Sequence, residues 1–93
     1  MQTQTGLAPV NGAQIYYEVA GAGQPLILLH AGVADSRMWD DQFTIFAQTY
    51  RTIRTDLRGF GRSAMLAGRF NHHDDVAGLL DFLQVERAIV LGI

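Results

Sequence analysis

The chain has 93 residues, of which 48% are hydrophobic and 17% charged, so we expect at most one domain and a globular rather than a disordered protein. Its formal net charge of −2, with basic residues scattered along the chain, argues against nucleic acid or an anionic membrane as a partner. The absence of cysteine excludes a disulfide framework, a thiol nucleophile and a thiolate metal site.

A β-hairpin is predicted at the start of the chain. Residues 8–10 favour a short strand, and residues 14–19 are β-rich enough to form its return strand. Between them, Asn11 and Gly12 offer the pair of positive φ angles that a type I′ turn requires. A turn cluster over residues 21–25 then leads into the next strand.

The central prediction concerns residues 25–32, an apolar run that ends in His30, Ala31 and Gly32. Residues 26–29 are consecutive branched aliphatics without alternation, which is typical of a strand that is covered on both faces in a parallel sheet. Open α/β sheets bind ligands just beyond the carboxyl ends of their strands. We therefore expect the end of this strand to carry a functional site.

An amphipathic helix is predicted to follow, with Asp35 and Ser36 as candidate caps and an end near Thr49. Spacings of about three and four residues separate its apolar positions, as an amphipathic helix requires. These positions are Met38, Trp39, Phe43, Ile45, Phe46 and Ala47.

The rest of the chain again alternates strand and helix. Residues 50–55 favour a strand, and a glycine-punctuated loop over residues 56–63 follows at its carboxyl end. A second helix, capped by Asn71, is predicted through about residue 84, and residues 87–91 form a last apolar strand. The sequence thus predicts an α/β fold with an opening hairpin, followed by parallel strands with right-handed crossover helices.

Two of the predicted strand ends suit a particular chemistry. A strand that ends in a histidine, a small residue and a glycine turns sharply and exposes a backbone N–H, which is what stabilising an oxyanion needs. The last strand ends in Gly92 and Ile93, and a strand that ends in this way can open the strained Gly-x-Ser-x-Gly turn of a nucleophile elbow.

With these residues the sequence resembles the α/β-hydrolase family, from about Asn11 to its last residue. Residues 28–32, Leu-Leu-His-Ala-Gly, match the His-Gly-x oxyanion segment, with alanine at the more common glycine position. Residues 56–63 match the loop Asp-x-Arg-Gly-x-Gly-x-Ser, and the Trp39 segment, the second helix and the last strand complete the match. Within the family the sequence looks most like small esterases, enol-lactonases and cofactor-free haloperoxidases.

The resemblance implies a serine hydrolase that acts on a small ester, lactone or related acyl substrate through an acyl-enzyme, with no metal or organic cofactor. It implies that the Gly32 N–H is one oxyanion donor, that Ala31 belongs to the oxyanion turn and that His30 supports it. Val33 and Trp39 are candidate substrate contacts, and Gly92 and Ile93 would begin the nucleophile elbow. Structural roles are expected in the glycine-punctuated loop for Asp56, Arg58, Gly59 and Gly61.

The family order Ser, Asp or Glu, His would place the nucleophile directly after Ile93 and the acid and base further along. We therefore expect these 93 residues to be the N-terminal part of one hydrolase domain and to be inactive alone. Their expected partner is the remainder of that domain, as a continuation or a second chain. The alternative is a catalytically inactive fragment that acts as a self-associating or complementing module.

Other interpretations of single residues stay open. His30 is more readily a structural histidine than a catalytic one, and Trp39 is at least as readily a core residue as a pocket residue. The run His72-His73-Asp74-Asp75 contains metal-ligand types, but adjacent helical residues point in different directions, and acids in a first turn suit the helix dipole.

The sequence contains no apolar run of about 18 residues and no leader of the secretory type, so the expected location is the cytoplasm.

Overall fold

The computed structural model describes residues 3–32, 34–63 and 71–92. Within them lies a five-stranded sheet of order β1-β2-β4-β3-β5. The strands are β1 Thr3–Val10, β2 Ala13–Ala20, β3 Pro25–Leu29, β4 Arg51–Thr55 and β5 Ile89–Gly92. The helical elements are a 3₁₀ turn, Ser36–Trp39, followed directly by α1, Asp40–Phe46, and then α2, His72–Phe82.

The opening hairpin is confirmed. Val10 pairs with Ala13, and the two residues between them have φ angles of 49° at Asn11 and 82° at Gly12. However, β1 begins at Thr3 rather than at residue 8. Its first residues are polar and exposed, but an edge strand pairs through its backbone and needs no apolar pattern to do so.

The predicted α/β class is also confirmed, with β3 parallel to both β4 and β5. In β3, Leu26, Ile27 and Leu28 are at most 4% exposed, as a strand covered on both faces should be. The hairpin joins this parallel part through β2, which pairs antiparallel with β4.

Two hydrophobic clusters lie on opposite faces of the sheet, because consecutive side chains of β3 enter different clusters. Ile27 packs with α2 and the hairpin, whereas Leu26 and Leu28 pack with the 3₁₀ turn and α1. The first helix is shorter than predicted, since α1 proper begins at Asp40 and ends at Phe46.

The second helix has the predicted cap, because the Asn71 side chain accepts a hydrogen bond of 2.7 Å from the Asp74 N–H. It ends at Phe82, and β5 begins at Ile89 rather than at residue 87. Within the described ranges β5 pairs only with β3, and its apolar side chains are exposed, Val90 by 57%. No helix in these ranges is long and apolar enough to cross a membrane.

Candidate functional site

Three strand ends lie level at one edge of the sheet. Leu29, the last residue of β3, pairs with Thr55 on one side and with Gly92 on the other. The His30 segment, the loop that begins at Asp56 and the end of β5 therefore meet there. A Cβ added to Gly92 would lie 3.4 Å from the Leu29 Cβ, so the backbones of the two strand ends run close together.

His30 connects two of these strand ends and is only 3% exposed. Its Nε2 lies 2.9 Å from the Leu57 backbone nitrogen and its Nδ1 lies 2.8 Å from the Ala31 carbonyl oxygen. Because a backbone N–H only donates, Nε2 must accept, and the ring proton is therefore on Nδ1 and donates to Ala31. The Phe60 ring lies edge-on at 5.2 Å. Both ring nitrogens are thus engaged with the backbone.

The turn after His30 fixes the direction of one backbone N–H. The Ala31 carbonyl accepts from both the His30 ring and the Ala34 N–H, the latter at 3.1 Å. That carbonyl and the Gly32 N–H belong to one trans peptide, so they point in opposite directions. Gly32 is exposed, and its N–H donates to no residue in the ranges that the structure describes.

Asp56 fastens the glycine-punctuated loop to the 3₁₀ turn and is only 1% exposed. Its Oδ1 accepts from the Ser36 N–H at 2.7 Å, and its Oδ2 accepts from the Arg62 N–H at 2.9 Å. Its backbone carbonyl accepts from the Ser63 hydroxyl, which in turn accepts from the Tyr16 N–H at 2.8 Å. The carboxylate thus holds the loop beside the His30 turn.

Arg58 ties the same loop to α2 and to the hairpin. Its Nε and Nη2 each donate to the Asp75 carboxylate at 2.9 Å, and Nη2 also donates to the Asn11 carbonyl at 3.2 Å. From the sequence, Asp75 suited the helix dipole or a metal-ligand run, and its pairing with Arg58 was not predicted. Its position four residues before Leu79, which is fully buried, was the signal that it faces inward.

Gly59 and Gly61 allow the loop to turn, with φ angles of 85° and 51°. A side chain at Gly61 would also overlap the Asp56 carboxylate, so this position needs glycine for space as well as for conformation.

Trp39 lies in the hydrophobic cluster with Leu26, Leu28 and Phe43 and is 6% exposed. Its indole Nε1–H is buried and has no hydrogen-bond partner in the part of the chain that the structure describes. These contacts are those of a core residue, and a substrate contact stays a prediction. Val33 and Ile93, the other predicted residues of the pocket and the elbow, lie outside the described residues.

The ion pair of Asp35 and Arg37 borders a recess of about 230 Å³ beside the glycine-punctuated loop. Asp56, Gly61 and Arg62 also line this recess. Hydrogen bonds from Arg37 lower the pKa of Asp35 to about 2.

On the hairpin, burial and the nearby Glu18 carboxylate raise the pKa of Tyr16. Residues 3–32, 34–63 and 71–92 contain no group of three or more side chains arranged to hold a metal ion.

Known proteins resemble the chain over most of its length. An epoxide hydrolase of Caballeronia sordidicola is 33% identical over 88% of this chain, and a non-heme haloperoxidase of Rhodococcus erythropolis is 39% identical over 60% of it; the matches cover 27% and 21% of those proteins. The enol-lactonase structure from Burkholderia xenovorans is 32% identical with a TM-score of 0.84, covering 94% of this chain and 36% of that one. No protein-family model matches.

The parallel strand ends and the histidine-braced turn define an α/β protein whose candidate site lies at the carboxyl edge of its sheet. The motifs, the structure and these relatives together identify the chain as the N-terminal part of an α/β-hydrolase fold. The chain spans about 30% of the length of the curated relatives that it matches.

Proposed function

We propose that this chain supplies half of the oxyanion hole of a serine hydrolase that acts on a small ester, lactone or related acyl substrate. The observation that carries the proposal is the Gly32 N–H. Gly32 is exposed, its N–H has no acceptor among the described residues, and its peptide is braced three residues beyond the Leu29–Gly92 pair. A donor at this place suits the developing charge of a carbonyl under attack.

In this proposal Gly92 and Ile93 lead into the nucleophile elbow, and a serine beyond them attacks the substrate carbonyl. The Gly32 N–H donates to the resulting oxyanion, while the N–H that follows the nucleophile is the second donor. A histidine in the remainder of the domain takes the serine proton, gives it to the leaving group and later activates water. His30 acts on none of these atoms and holds the turn. The reaction needs no metal or organic cofactor.

The acyl substrate class is supported by the enol-lactonase relative together with the oxyanion geometry. The epoxide hydrolase relative supports a different substrate, and an epoxide has no carbonyl for the Gly32 donor to serve. We therefore favour an ester or lactone over an epoxide. The cytoplasmic location stays a prediction.

The test uses the intact protein, meaning this chain together with the remainder of the proposed domain. A fluorophosphonate probe should add one adduct to the serine that follows Ile93, and pretreatment should abolish hydrolysis of p-nitrophenyl acetate and of a small enol-lactone. Hydrolysis of styrene oxide, with no serine adduct and no ester turnover, would overturn the proposal.

The second candidate is an inactive module that associates with itself or with a complementing fragment. The apolar edge strand favours it, because Ile89 and Val90 are 46% and 57% exposed and an exposed strand edge pairs readily with another chain. Native mass spectrometry of residues 1–93 separates the candidates. A stable homo-oligomer of 10.2 kDa chains without a fluorophosphonate-reactive partner favours the module.

A further inference from the structure

The side chain of Met38 lies against the backbone of the His30 turn. The Ala31 N–H donates to the Met38 Sδ with a nitrogen-to-sulfur distance of 3.3 Å. Ala31 lies beyond the last residue of β3, where the sheet no longer provides a backbone acceptor. A thioether is a weak acceptor, but it is the one that the described residues offer to this amide.

We propose that Met38 is a positioning residue for the Gly32 oxyanion donor, an inference that rests on the proposed function. Ala31 is held at both ends, its N–H by the Met38 sulfur and its carbonyl by the His30 ring and the Ala34 N–H. Both peptide planes that flank Ala31 are therefore fixed. Because the second plane contains the Gly32 N–H, fixing the two planes sets where this donor points.

The sulfur comes from a segment that is itself held firmly. The Met38 N–H donates to the Asp35 carbonyl at 3.1 Å, and the buried Asp56 carboxylate holds the Ser36 N–H. On the other side of Met38, the Trp39 side chain is anchored in the core. The thioether is thus presented to Ala31 by a short turn that is fastened before and after it.

Met38 also lies on the side of the turn that faces solvent. It is half-buried, and together with Ala34 and Phe60 it lines an open recess of about 670 Å³ next to the turn. The contact with Ala31 is therefore next to this recess rather than deep in the core. A change in this contact would be transmitted to the donor over a single residue, because Ala31 directly precedes Gly32.

Two substitutions in the intact protein separate the acceptor from the packing. Met38→Leu keeps an apolar side chain of similar volume but removes the sulfur, whereas Met38→Gln offers an amide oxygen at similar reach. Phe46→Leu is the matched control, because Phe46 packs against the same cluster from the last residue of α1, eight residues after Met38.

The first measurement is the ¹H–¹⁵N signal and the hydrogen-exchange rate of the Ala31 amide. Met38→Leu should shift the signal and speed exchange, and Met38→Gln should restore protection. The second is steady-state hydrolysis of p-nitrophenyl acetate. Met38→Leu should lower kcat about 5- to 50-fold, with KM within about twofold. A displaced Gly32 donor would stabilise the transition state less while leaving substrate binding nearly unchanged. Met38→Gln should recover part of kcat, and Phe46→Leu should lower stability without this loss.

An Ala31 amide that is unchanged by Met38→Leu would overturn the inference whatever the activity shows. A kcat that falls equally in Phe46→Leu would overturn it too, because packing alone would then explain the loss. A shifted Ala31 amide in a protein whose serine takes no fluorophosphonate adduct would overturn the proposed function, and with it the catalytic meaning of the contact. The Ala31 amide signal thus tests the Met38 contact, and the fluorophosphonate probe separately tests the proposed function.

Discussion

Arg58 and Asp75 form a two-pronged ion pair in which the side chains are 4% and 3% exposed. The pair joins the glycine-punctuated loop to the first turn of α2, and the Asn11 side chain donates to the same carboxylate at 3.2 Å. A pair so removed from water is costly to break, because the remaining charge stays buried and uncompensated.

The first prediction follows from this burial. Asp75→Asn in the intact protein should lower the free energy of unfolding by about 3–5 kcal/mol, as is usual when a buried pair loses one partner. Chemical denaturation in urea measures the loss. The double variant Arg58→Met/Asp75→Leu should lose much less than the sum of the losses in Arg58→Met and Asp75→Leu measured singly, because no unpaired charge remains. Additive losses would show that the pair is not coupled.

The second prediction concerns Gly61. Gly61→Ala should destabilise the intact protein by about 1–3 kcal/mol or more. The backbone of residue 61 has a positive φ, which strains any side chain, and the new Cβ would overlap the Asp56 carboxylate. Gly32→Ala is the matched control for stability, since its Cβ would meet nothing within 4 Å and its φ is not positive. Thermal unfolding compares the two. Equal losses at both positions would contradict the proposed overlap.

The third prediction is a dependence on pH. The pKa of Asp35 is lowered from 3.8 to about 2, so the pair with Arg37 stabilises the folded state above 3.8 and loses this effect as the pH falls toward 2. The effect should be small and screened by salt, because the Arg37 side chain is 77% exposed. A ¹³C titration of the Asp35 carboxyl should show the low midpoint, which Arg37→Gln should raise. An unchanged midpoint in that variant would contradict the assignment.

The fourth prediction concerns the His30 tautomer. Long-range ¹⁵N spectra of the intact protein should show a proton on Nδ1 and none on Nε2 at neutral pH, because Nε2 accepts from the Leu57 N–H. His30→Ala should destabilise by about 1–3 kcal/mol, since it leaves the part-buried Leu57 N–H without this acceptor. An Nε2–H signal would contradict the hydrogen-bond pattern.

The fifth prediction concerns the 93 residues alone. They should show no hydrolysis of p-nitrophenyl acetate beyond the small rate that an oxyanion donor alone sustains, because the proposed nucleophile and base are not among them. The assay compares this polypeptide with the intact protein at equal concentration. Normal turnover by the isolated polypeptide would overturn the assignment of nucleophile and base to the remainder of the domain.

The buried strand β3, and the sheet edge at which it ends, were predictable because they depend on local patterns. The aliphatic run before His30 showed no alternation, and this alone indicated a strand covered on both faces. Once β3 was parallel to its neighbours, the ends near Thr55 and Gly92 had to share one edge. The Asn71 cap was predictable for the same reason, because cap and acceptor lie within one turn of helix.

What could not be predicted depends on contacts between distant residues. The spacing from Met38 to Phe46 suits one continuous helix, but the hydrogen bond from the Ser36 N–H to Asp56, twenty residues later, accompanies a 3₁₀ turn at the start. The partner of Asp75 likewise lies in a loop seventeen residues earlier. The N–H to sulfur contact at Ala31 was missed because an apolar methionine at helical spacing indicates only a core position.

The order of the strands has a consequence for biosynthesis. β3 lies between β4 and β5, and both of these neighbours come later in the chain. A nascent β3 therefore leaves the ribosome with both backbone edges unpaired and with an aliphatic run exposed until β4 has been translated. Such a segment is prone to aggregate and suits holding by a chaperone until its neighbours emerge. The strand that leads into the proposed oxyanion turn is thus also one that waits unpaired during translation.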